Sequence, residues 1–326
     1  MSEESQQPAA QNTTWQSKTI EKLATSALVE QKTSRRWSAF FKVLAFIYLF
    51  IILFYALGWL GDSKKSLDAH TALIDIVGVI ESGGAVNADS VMSSLHDAYD
   101  SKGTKGIILR INSPGGSPVQ AGIINDEIRR LKQLHPTIPV YAVVEDICAS
   151  GGYYIAAAAD KIYVNKASIV GSIGVLMDGY GFTEAMKKVG VERRLMTAGE
   201  NKAMLDPFSP LNPKHQALAR NLLNEIHEQF KTVVRQGRGS RLKETPELFS
   251  GLFWSGEKSI QLGLADALGS ADFVAREVFK QEDIVDFTYQ DDFASRIAKR
   301  IGASASTAVG EAIAKQVISA GEIKLR

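Results

Sequence analysis

The stretch "EDICASGGYYIA", residues 145–156, places one hydroxyl, Ser150, between Ala149 and the pair Gly151–Gly152. Residues this small let another backbone come very close to the hydroxyl. A second glycine turn, "RINSPGGSPVQ", covers residues 110–120. Each turn follows a strand-like run and precedes a helical one, so each presents backbone N–H groups to something negative. Neither matches the phosphate-binding spacings G-x-x-x-x-G-K-[ST] or G-x-G-x-x-G. The other anion such turns suit is a transient oxyanion. Acyl transfer needs a nucleophile, a base and two N–H donors aimed at the developing charge. Ser150 is a candidate nucleophile, Gly151 offers one donor and Gly116 the second. Tight helix–sheet packing also selects Gly and Ala, so the cluster alone leaves a purely structural reading open.

A serine needs a base. The histidines are His70, His96, His135, His215 and His227. His215 and His227 fall in a polar helical stretch and are expected to face solvent; none has an obvious acidic partner in sequence. A Ser-His-Asp triad stays open, because its members meet only in space. Lys202 is in a less usual setting, the loop "TAGENKAMLDPFSP" (197–210), among Ala203, Met204, Leu205 and Phe208. A solvated surface lysine is the ordinary reading. A lysine in an apolar pocket is the chemical one, since burial favours the neutral amine that can accept a proton. In that case Glu200 and Asp206 must point away from it.

The elements that must hold these residues are legible. "TALIDIVGVI" from Thr71, "GIILRIN" (106–112), "PVYAVVED" (139–146) and "KIYVN" (161–165) are short Ile- and Val-rich runs. Helical patterns lie between them, such as 119–134 with Ile123, Ile124, Ile128 and Leu131 on one face. This alternation predicts an α/β domain with largely parallel strands buried on both faces. Asn212 and Pro213 open a long helix as cap and first residue. Leu218, Leu222, Ile226, Phe230 and Val234 form its expected core stripe. Asp160 and Lys161 are expected to close the helix after Ser150, and Cys148 to be buried filler.

The chain has 326 residues, 45% of them hydrophobic, enough for a sizeable core. With 37 basic and 36 acidic side chains the formal net charge is +1, which gives no long-range field for nucleic acid. A single cysteine excludes an intrachain disulfide and a cysteine-based metal cluster. From Val43 to Leu60 there is no charge. At ~1.5 Å per residue this run spans roughly 27 Å, close to a ~30 Å hydrocarbon core. Trp37 and Trp59 bracket it as interfacial aromatics do. "Ala56-Leu57-Gly58" resembles a signal-peptidase site, but this run is longer, and begins further in, than the 7–15 apolar residues of about that kind of leader. The expectation is an uncleaved anchor. Lys18, Lys22, Lys32, Arg35, Arg36 and Lys42 precede it and only Lys64 and Lys65 closely follow, so the N-terminus is expected in the cytoplasm. The polar start reads as a disordered tail, and the stretch from Phe293 is mildly amphipathic.

"INSPGGSP", "ASGGYYIAAAADKIYVNKASIVGSIGV", "GENKAMLDPFSP" and "GLADALG" occur in this order. Together they closely resemble the bacterial signal peptide peptidases of the SppA type, short form, over about residues 70–285. The resemblance implies a Clp peptidase/crotonase-like fold, a repeated ββα superhelix, with one N-terminal transmembrane helix. It implies a Ser-Lys dyad, with Ser150 as nucleophile and Lys202 as base, and an oxyanion hole from Gly116 and Gly151. The serine of "GSIGV", Ser172, matches a residue that orients the lysine amine. It implies no metal and no cofactor, and a homo-oligomeric ring whose neighbouring protomers share each site.

The expected organisation is a disordered cytoplasmic tail (1–35), a transmembrane anchor (36–61), a serine peptidase domain (62–290) and a C-terminal tail (291–326). The expected activity is endoproteolysis of cleaved signal peptides and other apolar, extended peptides. The location implied is the inner membrane, single-pass, with the catalytic domain on the extracytoplasmic side. Two alternatives are a related protease that processes one dedicated membrane-protein partner and a crotonase-type acyl-CoA enzyme. The latter needs no serine nucleophile, and CoA is lacking outside the cytoplasm.

Overall fold

The computed structural model describes residues 9–56 and 68–290. They belong to two units, one containing the N-terminal helix and the other Lys64–Gln290. In the first, helix α1 runs Ala9–Ala56. Its segment Lys32–Phe54, of mean hydropathy 2.2, is long and apolar enough to cross a membrane. The disordered tail expected over 1–35 is corrected: from Ala9 onward it is helical. Ala, Gln, Leu, Lys and Glu make up much of residues 9–31 and favour helix by intrinsic propensity. The apolar run also supplies a nucleus that this stretch only has to extend. Residues 57–61 of the expected anchor and the C-terminal tail, 291–326, lie outside the described residues.

In the second unit, β1 (His70–Val77), β2 (Thr104–Ser113) and β3 (Val140–Ala149) alternate with α2 (Ala88–Asp100), α3 (Pro118–Leu134) and α4 (Gly151–Ala156). Then come β4 (Lys161–Val164), β5 (Ile169–Gly171), α5 (Thr183–Lys188) and α6 (Pro213–Arg238). The last elements are β6 (Phe253–Ser255), α7 (Gly256–Gln261), β7 (Ala267–Leu268), α8 (Ala271–Phe273) and β8 (Ile284–Asp286). The main path of the sheet is β6-β5-β3-β2-β1-β8, with β4 beside β3 and β7 beside β4. All pairs are parallel except β5–β6. This is the α/β arrangement that the strand–helix alternation predicts, because a parallel neighbour can be reached only by a crossover.

Both sheet faces are covered. Ile74, Ile76, Leu109 and Ile111 pack with Val91 and Leu95 of α2 and Ile124 and Ile128 of α3. Leu73, Ile108 and Val143 point the other way, to Tyr163, Val274 and Ala275. Period-2 alternation along buried strands produces these two cores, and it is why the runs read as continuously apolar.

Strand β3 changes partners along its length. Tyr141–Val143 pair with β4, whereas Ile147–Ala149 pair with β5. On its other edge the register jumps, from Ile111↔Val144 to Ser113↔Cys148. The extra residues form a bulge, and bulges re-aim the chain beyond them. What lies beyond is Ser150.

Two expectations about packing are corrected. In α6, Asn212 caps the first turn by accepting from Lys214 N (2.9 Å) and Pro213 begins the helix as expected. Phe230 and Val234 are buried, but Leu218 and Leu222 are exposed. The stripe is core only near Phe230, whose ring meets Tyr154 of α4 at 5.0 Å. Helix α4 ends at Ala156, before Asp160 and Lys161. Asp160 accepts from Val140 N (2.9 Å) and pairs with Lys132 (2.7 Å), tying the turn to β3 and α3, while Lys161 opens β4.

Candidate active site

Ser150 sits where β3 stops and α4 starts, with φ 50° and ψ −120°. A positive φ on a residue with a Cβ costs about 1–3 kcal/mol and persists only where the surroundings enforce it. Several contacts enforce it. Ser150 N donates to Gly171 O (2.9 Å), and Tyr154 N donates to Ser150 O (2.9 Å). Behind it, Tyr153 is wholly buried and its hydroxyl donates to Leu264 O (2.7 Å). The alanine run is buried as well. A strained residue at a strand-to-helix turn is also where nucleophile elbows place their serine.

The glycines explain themselves by contact. A Cβ on Gly115 would lie 2.7 Å from both Ser150 Cβ and Gly151 N. A Cβ on Gly116, at φ 147°, would lie 2.1 Å from Ile80 O. A Cβ on Gly151 would lie 3.3 Å from Gly116 N, so the two amides are neighbours. Among the described residues neither amide N–H has an acceptor, although those around them do: Ile80 N donates to Gly115 O (2.9 Å) and Ser117 N to Ile80 O (2.7 Å). Two free donors side by side next to a serine form the arrangement that an oxyanion requires.

Ser172 is brought to the same place. It follows Gly171, which pairs with Ala149 in the β3–β5 ladder, and it has a positive φ of its own, 52°. Its N–H donates to Leu252 O (2.8 Å) and its carbonyl accepts from Gly174 N (2.9 Å). Three further residues support the turns, two of them, Ser113 and Asn112, given no role in the sequence reading. Buried Ser113 Oγ donates to Gly78 O (2.6 Å) and accepts from Gly115 N (3.1 Å), which sets the glycine turn. Asn112 fills the β3 bulge, with Nδ2 donating to Asp146 (3.0 Å) and Oδ1 accepting from Ile147 N (3.3 Å). His227 of α6 bonds to Ile173 O (3.1 Å). Polar residues at Asn112 and Ser113, ending an otherwise apolar strand, are the signal that could have found the first two.

Among the described residues no contact brings Lys202 to Ser150. It lies in a turn, with its N–H donating to Gly199 O (3.1 Å), and its side chain is exposed. Nearly all of 176–202 is exposed, including Leu176 (81%) and Met196 (94%). This arm packs mostly on itself. Phe182 stacks on Phe208 (5.4 Å), Arg193 lies over Phe208 (5.2 Å) and pairs with Asp206 (2.7 Å). The Asp206 carboxyl is held below its ordinary pKa by the Ser209 hydroxyl, against a desolvation effect, with Arg193 adding to it. Glu200 pairs with Lys214. Both acids beside Lys202 thus have other cations. A groove of about 940 Å³ separates the arm from α6, with Met177, Tyr180, Leu211 and Leu223 in its wall.

Among the described residues no contact brings a histidine to Ser150 either. His70 is buried at the start of β1, where Nδ1 bonds to Asp68 O (2.9 Å). Ser150 is at the opposite, C-terminal end of the parallel strands. His135 stacks on Tyr99 (4.8 Å), and His96 pairs with Glu127 (2.5 Å), an acidic partner that the sequence did not reveal. Glu127 is pushed down to about 2, chiefly by its hydrogen bond from Arg130, against partial desolvation. His215 and His227 are half-buried rather than solvent-facing. His227 Nε2 is engaged with Ile173 O. Cys148 is buried filler as expected, and burial pushes its thiol pKa up.

Comparison with known proteins identifies the family. The family model of peptidase family S49 matches residues 132–285, a span that holds Ser150, Gly151, Ser172 and Lys202. A Synechocystis protein, "Putative protease slr0021", is 33% identical over 207 residues, covering 64% of this chain and 72% of the relative. An Enterococcus faecium protein, "Putative signal peptide peptidase SppA", is 29% identical over 232 residues, 68% of this chain and 67% of the relative. A Brucella abortus protein named "Na(+)/H(+) antiporter NhaA" is 40% identical over 220 residues. The chain spans only 30% of that relative, so the antiporter name belongs to a much longer protein. The strained serine, the paired glycine amides and these matches lead to one conclusion: the chain belongs to peptidase family S49, the family of SppA-type peptidases.

Proposed function

We propose that this chain is a membrane-anchored serine endopeptidase that cuts apolar, extended peptides, cleaved signal peptides among them. Ser150 Oγ attacks the scissile carbonyl while the neutral amine of Lys202 takes the hydroxyl proton. The charge on the carbonyl oxygen falls on the N–H groups of Gly116 and Gly151. The C–N bond then breaks, Lys202 returns the proton to the leaving amine, and water hydrolyses the acyl-enzyme. Ser172 orients the lysine amine. The observation that carries this reading is the pair of unpaired amides beside a serine strained to φ 50°.

The exposed arm supports a shared site. An apolar surface of that extent on one chain is ordinarily covered by a partner, and a second copy in a ring would bring its Lys202 to this Ser150. Substrate adds as an extended strand, which recognises backbone and apolar side chains more than sequence. The basic flank before the apolar helix favours a cytoplasmic N-terminus and a catalytic domain outside the inner membrane.

The test is cleavage of a panel of signal peptides by the full-length chain in detergent, beside Ser150→Ala. Wild type is expected to cut them. Ser150→Ala is expected to keep its melting temperature and lose roughly a million-fold in turnover. Cleavage at the wild-type rate by Ser150→Ala would overturn the reading.

A further inference from the structure

We infer that His227 is a positioning residue, which holds the Ser172 turn against the nucleophile turn through the hydrogen bond from its Nε2 to Ile173 O. The inference rests on the proposed roles of Ser150 and Ser172. Ser172 is at φ 52°, outside the comfortable range for a residue with a Cβ, so its turn needs restraint from several sides. Leu252 O restrains it from the β6 side, at 2.8 Å from Ser172 N. Ser150 N restrains it from the nucleophile side, at 2.9 Å from Gly171 O. The third restraint is His227, at 3.1 Å from the carbonyl directly after Ser172.

The helix bearing His227 is itself fixed to the nucleophile's helix. Gly237 of α6 lies so close to α4 that a Cβ there would be 1.9 Å from Ala157 O. Arg241, just past α6, donates to Asp160 O (2.8 Å) and to Gly237 O (2.7 Å). Arg238, buried in α6, bonds to Gly263 O (2.8 Å) and pairs with Asp266 (2.9 Å). Between Gly237 and His227 lie about 15 Å of continuous helix. One rigid element thus fixes Ser150's helix at one end and the Ser172 turn further along. It sets the relative position of the nucleophile and of the group that orients the base. A displacement of about 1 Å in such a pair costs up to about a hundredfold in rate.

The experiment uses the full-length chain in detergent with one apolar signal peptide as substrate, and four variants: His227→Leu, His227→Gln, Ser172→Ala and the double variant His227→Leu/Ser172→Ala. His227→Leu is expected to lower kcat about ten- to hundredfold, with KM within about twofold. His227→Gln keeps an N–H donor at similar reach and is expected to recover most of the loss. In the Ser172→Ala background, His227→Leu is expected to add less than about twofold, because both changes act through one turn. Full kcat in His227→Leu overturns the inference, and so do losses that multiply in the double variant. If His227→Leu does not fold, His227→Asn replaces it, since its shorter donor cannot reach the carbonyl; an Asn variant as active as Gln then overturns the inference. Activity surviving in Ser150→Ala would sink the function itself, whereas a dead Ser150→Ala beside a normal His227→Leu would sink only the role of His227.

Discussion

The Ser150 turn and the Lys202 arm are built on opposite plans. Ser150 is gripped on every side: a strand before it, a buried helix after it, glycine amides against it and a second strained serine beside it. Lys202 stands on an arm whose apolar residues face outward and whose acids are paired with other cations. A nucleophile and an oxyanion hole gain from being preorganised, because their geometry must exist before the charge does. A lysine base needs an apolar enclosure, and the arm of a single chain does not make one around Lys202. On the proposed mechanism, that enclosure would have to come from a second copy of the chain.

The largest effect expected from breaking either side, after loss of Ser150 itself, comes from Lys202→Arg. A guanidinium stays protonated at any working pH and cannot accept the serine proton. Turnover is expected to fall about 10²- to 10⁴-fold, with the melting temperature unchanged because the arm is exposed. Substantial turnover in that variant would mean that position 202 supplies only positive charge. Gly116→Val is expected to cost about 10²- to 10³-fold in turnover, measured on assembled protein, because its side chain must displace Ile80 O and tilt the oxyanion donor. Full-speed cleavage by an assembled Gly116→Val protein contradicts that role.

Asp266→Asn acts on stability and least on chemistry. Burial acts to raise the pKa of Asp266, but the hydrogen bond and charge of Arg238, Ile162 N–H and the charge of Arg241 together hold it below the ordinary range. Its stabilising contribution is therefore complete above the unfolded value of about 3.9 and is lost as pH falls through the lower folded value. Removing the charge leaves buried Arg238 without its counter-ion, at a cost of about 3–5 kcal/mol at neutral pH. Thermal melts against pH should show a lower plateau and a shallower acid limb. A variant with wild-type melts at every pH would show that this network does not secure α6.

Much of this was legible in the sequence. Ile- and Val-rich runs spaced by amphipathic stretches are enough to give parallel strands with crossovers. Small residues around Ser150 and in the second glycine turn pointed to a close approach of the two turns, and the structure brings them together. The β3 bulge was not legible, because it depends on where β3 exchanges β4 for β5, a tertiary choice. His227 was misread as solvent-facing because its partner is a backbone carbonyl 54 residues away in sequence. Leu218 and Leu222 were read as core because periodicity reports that an apolar stripe will be covered, not whether the same chain covers it. The polar stretch before the apolar run was read as disordered because composition reports burial, whereas its helix needs only propensity.

The most direct measurement of the shared site uses two dead proteins. Full-length Ser150→Ala and Lys202→Ala chains are co-assembled in equal amounts in detergent, mixed assembly is verified, and cleavage of one signal peptide is measured. If each site takes its serine from one protomer and its lysine from the next, about a quarter of the junctions hold both, and about a quarter of wild-type activity returns. If both residues come from the same protomer, every site in the mixture lacks one of them, and verified mixed assemblies stay as inactive as either parent.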